Sequence, residues 1–318
     1  MPCDKSNFER MLEAGQFTVT AEIGPPMTAD GENVRRKACD LKNYIDAAYV
    51  TDNQTAMVRM SSIAAAKLIA DEGLEPVVQM VCRDRNRIAI QSDLLGAYAL
   101  GLRNLLVLSG DHQCFGNHPQ AKNVYDVDSV QLIKALNTLQ DSGIFMSGSA
   151  CKMAPRFFIG GAGHPFADPL ELQVMRVKKK IDGGARFITT QAIYDIDKFT
   201  RWMELIRKWD LHKRAYFQAG VCVNKSLKSL QMTKLVAGMD VPDHLIERME
   251  KADDKQAEGV NIAVDLLTRI REVDGVSGIH IMAVGWESIV PTIVERLGVL
   301  PRPKLPPLPD RQCQEERT

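Results

Sequence analysis

The 318-residue chain lacks the features that mark several classes of protein. Lysine and arginine together number 40, as do aspartate and glutamate, so no net charge is available to attract nucleic acid or an anionic membrane. No run approaches the roughly 20 apolar residues that span a bilayer, and no apolar run follows the N-terminus as in a signal peptide. We therefore expect a cytoplasmic protein with no membrane span and no nucleic-acid partner.

Cysteine and glycine patterns exclude further classes. The 7 cysteines are scattered without a CxxC pair, which argues against a disulfide framework, a structural zinc site or an iron–sulfur site. His112 and His118 flank Cys114 in one loop, but they lack helix spacing and a carboxylate, so we expect no metal. The glycine-rich motifs GxGxxG and GxxxxGK[ST], which bind dinucleotides and phosphates, are also absent.

The sequence does contain a repeated alternation of apolar runs and amphipathic stretches. Eight apolar runs predict strands at 17–23, 47–51, 76–82, 104–109, 157–161, 186–191, 215–223 and 278–284. Stretches with helical spacing lie between them at 61–71, 87–100, 130–139, 170–181, 198–208 and 256–271. Eight strand–helix pairs in roughly 300 residues predict an α/β protein with a (β/α)8 TIM-barrel fold.

Three segments interrupt this alternation. Residues 143–156 predict a short inserted hairpin before the fifth strand, and residues 241–254 predict an extra helix before the seventh crossover helix. Residues 301–309 hold 5 of the 15 prolines and predict an extended end to the fold. We therefore expect a barrel domain at 1–300 and a proline-rich extended tail at 301–318.

Polar residues that end the apolar runs are the first candidates for a site, because TIM barrels build active sites at the carboxyl ends of their strands. Glu22 lies inside the first strand, where burial raises the pKa of a carboxyl and suits it to general acid chemistry. Asp111 follows a glycine after the fourth strand, and Gln191 ends the sixth, where its amide suits a flat heterocycle. We expect these three side chains to lie on adjacent strand ends. A purely structural role for each of them stays open.

Five motifs occur in a fixed order along the chain. They are AEIGPP at 21–26, YVT at 49–51, GD at 110–111, HP at 164–165, and KKKIDGGA at 178–185 followed by TQ at 190–191. Together they resemble the motifs of the methylenetetrahydrofolate reductase family, and the similarity extends to about residue 301. The last of the five is the most specific.

The resemblance implies an enzyme that reduces 5,10-methylenetetrahydrofolate to 5-methyltetrahydrofolate by hydride transfer through flavin N5. It implies catalytic and substrate contacts by Glu22 as the general acid, by Asp111 as the carboxylate beside the flavin ring, and by Gln191 as the amide on the folate. It favours FAD over FMN as the cofactor and implies NADH as the donor. The residues that match cofactor contacts are Thr51, Gln79, Ser109, Gly110, Asp111, His164, Lys179, Lys180 and Ala185, and Leu227 matches a substrate contact.

Several positions depart from the family pattern and leave alternatives open. Ser109 replaces an arginine, Gln79 a histidine, Gly160 an aromatic residue and Leu227 a phenylalanine, while 283–285 read AVG instead of TLN. The alternative is a catalytic or pterin-binding subunit that receives electrons from a partner protein. That partner would be an electron-transfer or zinc-binding subunit. A folate carrier without redox chemistry, a subunit without turnover and a homo-oligomer also stay open.

Overall fold

A computed structural model describes residues 5–236 and 238–306 of the chain. Eight parallel strands close into one barrel in chain order. They are β1 (Thr18–Ile23), β2 (Ala47–Val50), β3 (Pro76–Val81), β4 (Asn104–Leu108), β5 (Phe158–Gly163), β6 (Phe187–Thr190), β7 (Tyr216–Cys222) and β8 (Val276–Met282). The predicted (β/α)8 fold is confirmed, and every predicted strand overlaps an observed one.

Eleven α-helices lie in the described residues. They are α1 (Asn7–Glu13), α2 (Glu32–Leu41), α3 (Ser62–Asp71), α4 (Arg87–Ala99), α5 (Ser129–Ser142), α6 (Leu170–Asp182), α7 (Ile196–Lys208), α8 (Leu227–Lys234), α9 (Asp243–Lys251), α10 (Lys255–Ile270) and α11 (Val290–Arg296). The extra helix predicted at 241–254 is α9. The hairpin predicted at 143–156 consists of one antiparallel bridge, between Ile144 and Ala150. No helix in the part of the chain described here is long and apolar enough to cross a membrane.

The strand register determines which side chains face the barrel interior. Glu22 on β1 pairs with Tyr49 on β2, and Tyr49 pairs with Val77 on β3. Neighbouring residues in such a row point to the same side of a sheet. Tyr49 and Val77 belong to the apolar cluster inside the barrel. Glu22 therefore also faces inward, close to the carboxyl end of β1.

Helix α1 closes the opposite end of the barrel and was not predicted from the sequence. Ser6 caps it by accepting a hydrogen bond from the Glu9 amide at 2.9 Å. Its Phe8 is fully buried and makes edge contacts with the rings of Phe158 and Phe187 at centroid distances of 5.8 and 5.6 Å. Among the described residues, this aromatic packing fills the lower part of the barrel and leaves the carboxyl end of the strands as the side from which a ligand can enter.

The first residues of the predicted proline-rich tail are bound to the barrel. Residues 301–306 contain no helix or strand. The Arg302 guanidinium pairs with Asp46 at 2.6 Å and donates to the Phe17 carbonyl oxygen at 2.8 Å. The remainder of the predicted tail, residues 307–318, lies outside the described residues. Arg302 thus attaches the end of the described chain beside the start of β1.

Candidate active site

The acid predicted in the first strand lies in the mouth of the barrel. The Glu22 residue is 9% exposed. Burial raises the pKa of Glu22 to about 7, with a smaller contribution from the nearby Glu287 carboxylate. The side-chain amides of Gln54 and Gln79 act in the opposite direction and lower this pKa. Glu22 can therefore both hold and release a proton near neutral pH.

Glu22 opens into a cavity of about 190 Å³ between the loops that follow β1, β2 and β8. Its polar and charged lining includes Glu22, Asn33, Lys37, Gln54, Arg59 and Glu287. Pockets for small organic ligands usually measure roughly 300–1,000 Å³. The cavity beside Glu22 is thus smaller than a typical site for a heterocycle of two or three rings.

The sequence reasoning missed two ionisable residues beside Glu22. Glu287, in a turn after β8, is 7% exposed and pairs with the Lys37 ammonium at 2.7 Å. Cys222 ends β7, and burial raises the pKa of its thiol to about 11, with a further contribution from Glu22. Both follow or end predicted strands, so strand-end position was an available signal for them. The Glu287 carboxylate disfavours the ionised form of Glu22, whereas the Cys222 thiol keeps its proton and adds no charge.

A short connection, residues 51–60, joins β2 to α3 across the edge of the mouth, and we call it the strap. It carries Gln54 into the cavity that contains Glu22. Three of its residues, Asn53, Thr55 and Ala56, have positive φ angles of 45°, 55° and 56°. Residues with side chains adopt such angles only where their surroundings hold them.

Asp111 is exposed and holds the strap. Its Oδ2 accepts a hydrogen bond from the Thr55 amide at 3.1 Å, and its carbonyl oxygen accepts one from the Arg83 guanidinium at 2.9 Å. Arg83 is 2% exposed and also donates to the Asn53 carbonyl oxygen at 3.3 Å. The carboxylate predicted to lie beside a ligand is thus engaged with backbone at the edge of the mouth.

Gln191 lies directly after β6 and is partly buried, and its backbone amide donates to the Gly163 carbonyl oxygen at 2.9 Å. The expectation that Glu22, Asp111 and Gln191 occupy adjacent strand ends is wrong. Their strands are β1, β4 and β6, and chain order in the barrel separates all three. They share the carboxyl end of the barrel, because parallel strands all end there.

A cationic group lies under the loops after β3, β4 and β5. The Lys180 ammonium donates to the Ala162 carbonyl oxygen at 2.6 Å. Burial, together with the charge of Arg176, lowers the pKa of Lys180 to about 8. Burial also lowers the pKa of His164, and Lys180 and Arg176 act in the same direction. Lys179, on the same helix, is exposed.

The other predicted cofactor positions differ in burial. Thr51 is 1% exposed, and its hydroxyl oxygen has no hydrogen-bond partner among the described residues. Ser109 is exposed and donates to the Ser129 hydroxyl at 3.4 Å. Gly110 has a φ of 88°, and Ala185 is 1% exposed in the turn after α6. The substrate position Leu227, outside this set, begins α8 and packs partly against the outer core.

Gly160 lies where the family resemblance predicts an aromatic residue, and the packing around it accounts for the glycine. A Cβ atom at this position would lie 2.2 Å from the Phe187 ring, which occupies the space in the barrel interior. Phe187 stacks on Phe158 with a centroid distance of 4.9 Å. An aromatic residue on β6 thus fills the volume that the glycine on β5 leaves.

No group of three or more His, Cys, Asp or Glu side chains within residues 5–236 and 238–306 is arranged to hold a metal ion. The ring of His112 instead accepts a hydrogen bond from the Cys114 amide at 3.3 Å.

Comparison with known proteins identifies one matching family model, described as methylenetetrahydrofolate reductase, which covers residues 7–298. A probable methylenetetrahydrofolate reductase (NADPH) of Caenorhabditis elegans is 22% identical over 92% of this chain and 44% of its own length. The 5,10-methylenetetrahydrofolate reductase of Pectobacterium carotovorum is 23% identical over 90% of this chain and 92% of its own. The chain spans about half the length of the eukaryotic relatives that it matches.

Among solved structures, a Clostridium thermocellum protein of unassigned function superposes with a TM-score of 0.66 at 13% identity, over 92% of this chain and 99% of its own. That protein binds two copies of 5-methyl-5,6,7,8-tetrahydrofolic acid. At this identity the similarity establishes the barrel fold.

Proposed function

The chain belongs to the methylenetetrahydrofolate reductase family, and we propose that it reduces 5,10-methylenetetrahydrofolate to 5-methyltetrahydrofolate. The observation that carries the proposal is the Glu22 carboxyl, which faces the barrel mouth with a pKa of about 7. An acid with a pKa near the working pH is suited to transfer a proton during turnover. The folate bound by the structurally similar Clostridium thermocellum protein supports a folate as the substrate.

In the proposed reaction, Glu22 donates its proton to the nitrogen that leaves the one-carbon bridge of the folate. Loss of that bond makes the bridging carbon electrophilic and ready to accept a hydride. Gln191 offers both amide donors and an acceptor, which suits the edge of a pterin ring. The closed lower half of the barrel excludes water from beneath Glu22, and a drier site strengthens the polar contacts to a bound folate.

We propose a flavin as the cofactor, because no side chain can carry a hydride. A bound flavin supplies that two-electron chemistry. Two groups fit it. The Thr51 hydroxyl, directly after β2, is buried and has no hydrogen-bond partner among the described residues. The Lys180 ammonium, on α6, donates to a neutral carbonyl oxygen. The partly buried His164 is near both Lys180 and Arg176, whose charges contribute to lowering its pKa. Arg176 and Lys179 extend the positive charge along α6, which favours the diphosphate of FAD over the single phosphate of FMN.

We propose NADH as the first candidate for the electron donor. A second candidate, reduction by a partner protein, is supported by the apolar surface on and around the strap. Met27, Val58 and Phe115 are 53%, 55% and 75% exposed there. The strap brings their loops together, since the Met60 amide donates to the Pro26 carbonyl oxygen at 2.9 Å and the Val58 amide to Asn117 at 3.2 Å. Exposed apolar residues grouped in this way are typical of interaction surfaces.

The first experiment identifies the cofactor and the reaction in the purified protein. The bound flavin is extracted and identified as FAD or FMN, and methylenetetrahydrofolate reduction is then compared in Glu22→Gln and Glu72→Gln variants. Glu72 pairs with Arg35 on the outer helices and provides the matched control. We expect Glu22→Gln to keep its flavin and lose about 10²–10⁴-fold in turnover, as is typical for loss of a general acid. A colourless protein after flavin loading, or native turnover by Glu22→Gln, contradicts the proposal.

A second experiment separates the two electron donors. The flavin-loaded protein is assayed alone with NADH, and then with a chemically reduced viologen dye in place of NADH. Turnover with NADH establishes the direct donor. Turnover with the dye alone establishes the partner-dependent version, and failure with both argues against the reductase itself.

A further inference from the structure

The strap connects Asp111, at the edge of the barrel mouth, with Glu22 at its centre. We propose that Gln54 is a positioning residue for the Glu22 carboxyl, and that Asp111 acts through Gln54 by holding the strap. The inference deepens the proposed function, on which its catalytic consequence rests. It assigns Asp111 an indirect role in place of the flavin contact that the family resemblance implies.

Gln54 is the strap residue that reaches Glu22. It lines the same cavity as Glu22, and its amide, like that of Gln79, lowers the pKa of this carboxyl. Gln79 lies on β3 within the barrel wall, whereas Gln54 begins a single 3-10 turn in the strap. An amide N–H favours the ionised form of a carboxyl that accepts its hydrogen bond. The contact of Gln54 with Glu22 therefore depends on where the strap lies.

Other charged and ionisable groups also face Glu22 from the elements packed around it. Glu287 and Lys37 approach from the loop after β8 and from α2, and they pair with each other. Cys222 approaches from β7. Arg59 lines the same cavity from the end of the strap and donates to the Pro25 carbonyl oxygen at 3.1 Å. Replacing Gln54 leaves all four of these groups in the chain.

Residues of the loop after β4 hold the strap in a backbone conformation that includes positive φ angles. Asp111 binds the Thr55 amide, one residue from Gln54 and at a positive φ of 55°. Ala56 packs so closely on the β4 loop that a Cβ atom at Gly116 would lie 1.9 Å from its carbonyl oxygen. Because the strap has little freedom while these contacts persist, loss of the Asp111 acceptor is expected to release Gln54.

Asp111 could act on Glu22 through its own charge or through the position of Gln54. The two explanations predict opposite changes in the pKa of Glu22 when Asp111 is replaced. Removing a nearby negative charge lowers the pKa of a carboxyl, because the ionised form then meets less repulsion. Moving the Gln54 amide away from Glu22 raises that pKa, because the ionised form then loses a group that stabilises it. The direction of the change thus distinguishes the two explanations.

The test is a direct titration of Glu22 by NMR in protein labelled with ¹³C at the glutamate carboxyls, without folate. The Glu22 signal is assigned by its absence in Glu22→Gln. We expect Gln54→Leu, Gln54→Ala and Asp111→Ala each to raise the pKa of Glu22 by about one unit, the scale of one hydrogen bond to a carboxylate. Asp111→Asn keeps an acceptor oxygen without the charge and is expected to retain the native value. Asp126→Ala, on the same loop but paired with Arg87, is the control and leaves it unchanged.

A native Glu22 pKa in both Gln54 variants overturns the proposal, as does an Asp111→Asn shift equal to that of Asp111→Ala. A double variant, Gln54→Leu with Asp111→Ala, should titrate like Gln54→Leu alone, and an additive shift contradicts the relay. Near-UV circular dichroism establishes that each variant is folded. Because the titration needs neither turnover nor bound flavin, a protein that fails as a reductase can still give the expected shifts.

Discussion

Burial of Glu22 makes the free energy of unfolding depend on pH. Replacing Glu22 with glutamine removes this contribution to the pH dependence. The pKa of Glu22 rises from 4.5 to about 7 in the folded protein. One pKa unit corresponds to about 1.4 kcal/mol. Ionised Glu22 therefore costs the folded state about 3 kcal/mol relative to protonated Glu22.

The direction of this pH dependence follows from whether the folded or the unfolded state binds the Glu22 proton more tightly. Between pH 4.5 and about 7, the unfolded chain has lost the Glu22 proton while the folded protein keeps it. Stability falls with rising pH wherever the folded state binds more protons. The contribution of Glu22 is thus fully present below pH 4.5 and is lost as the pH rises through about 7. Above that range the contribution is constant.

Urea unfolding of the wild type and Glu22→Gln across this pH range measures the effect, after extraction of any bound flavin. We expect the stability of Glu22→Gln relative to wild type to increase by about 3 kcal/mol between the acidic and alkaline ends. The surface variant Glu72→Gln should differ from wild type by a constant amount above pH 5, because Arg35 lowers the pKa of Glu72. Parallel curves for wild type and Glu22→Gln would refute the buried, protonated acid.

Three further predictions concern packing and cofactor binding. Gly160→Ala should lower the free energy of unfolding by about 1–3 kcal/mol, since its Cβ meets the Phe187 ring, and Phe187→Leu in the same chain should recover part of the loss in urea unfolding. Phe8→Ala removes the ring that closes the barrel from below and should cost about 3–5 kcal/mol in the same assay. Lys180→Met should weaken flavin binding by about tenfold or more in equilibrium dialysis, while Lys208→Met, an exposed lysine on α7, should bind as wild type does.

The fold was predictable because its signal is local and repeated. Apolar runs of strand length recur eight times, and each is followed by helical spacing that a parallel barrel requires. Helix α1 was missed although Phe8, Met11 and Leu12 have helical spacing and Ser6 offers a cap. Seven residues are too few to predict a helix from periodicity, and the barrel end that α1 closes exists only in the tertiary structure.

The candidate site was predictable only where a residue's position in a strand decides its surroundings. Glu22 lies inside an apolar strand, so its burial followed from the sequence. Asp111 lies in a loop, and its contact with the Thr55 amide depends on the path of a separate loop 56 residues away in the chain. The strap itself carries no glycine at its three positive φ angles, so the sequence gives no sign of its conformation.

Glu22 keeps its proton because burial outweighs the effect of the basic residues around its cavity. His280 lies in the barrel row beneath it and contacts the Thr20 hydroxyl at 2.9 Å, but burial lowers the pKa of His280 to about 3, so its ring is neutral at physiological pH. The Lys37 ammonium is within reach of the cavity, but Glu287 neutralises it at 2.7 Å. Replacing Glu287 with glutamine therefore removes a repulsive carboxylate and releases a cation at once. Both changes favour ionised Glu22, so this arrangement of charges, together with burial, keeps the acid protonated.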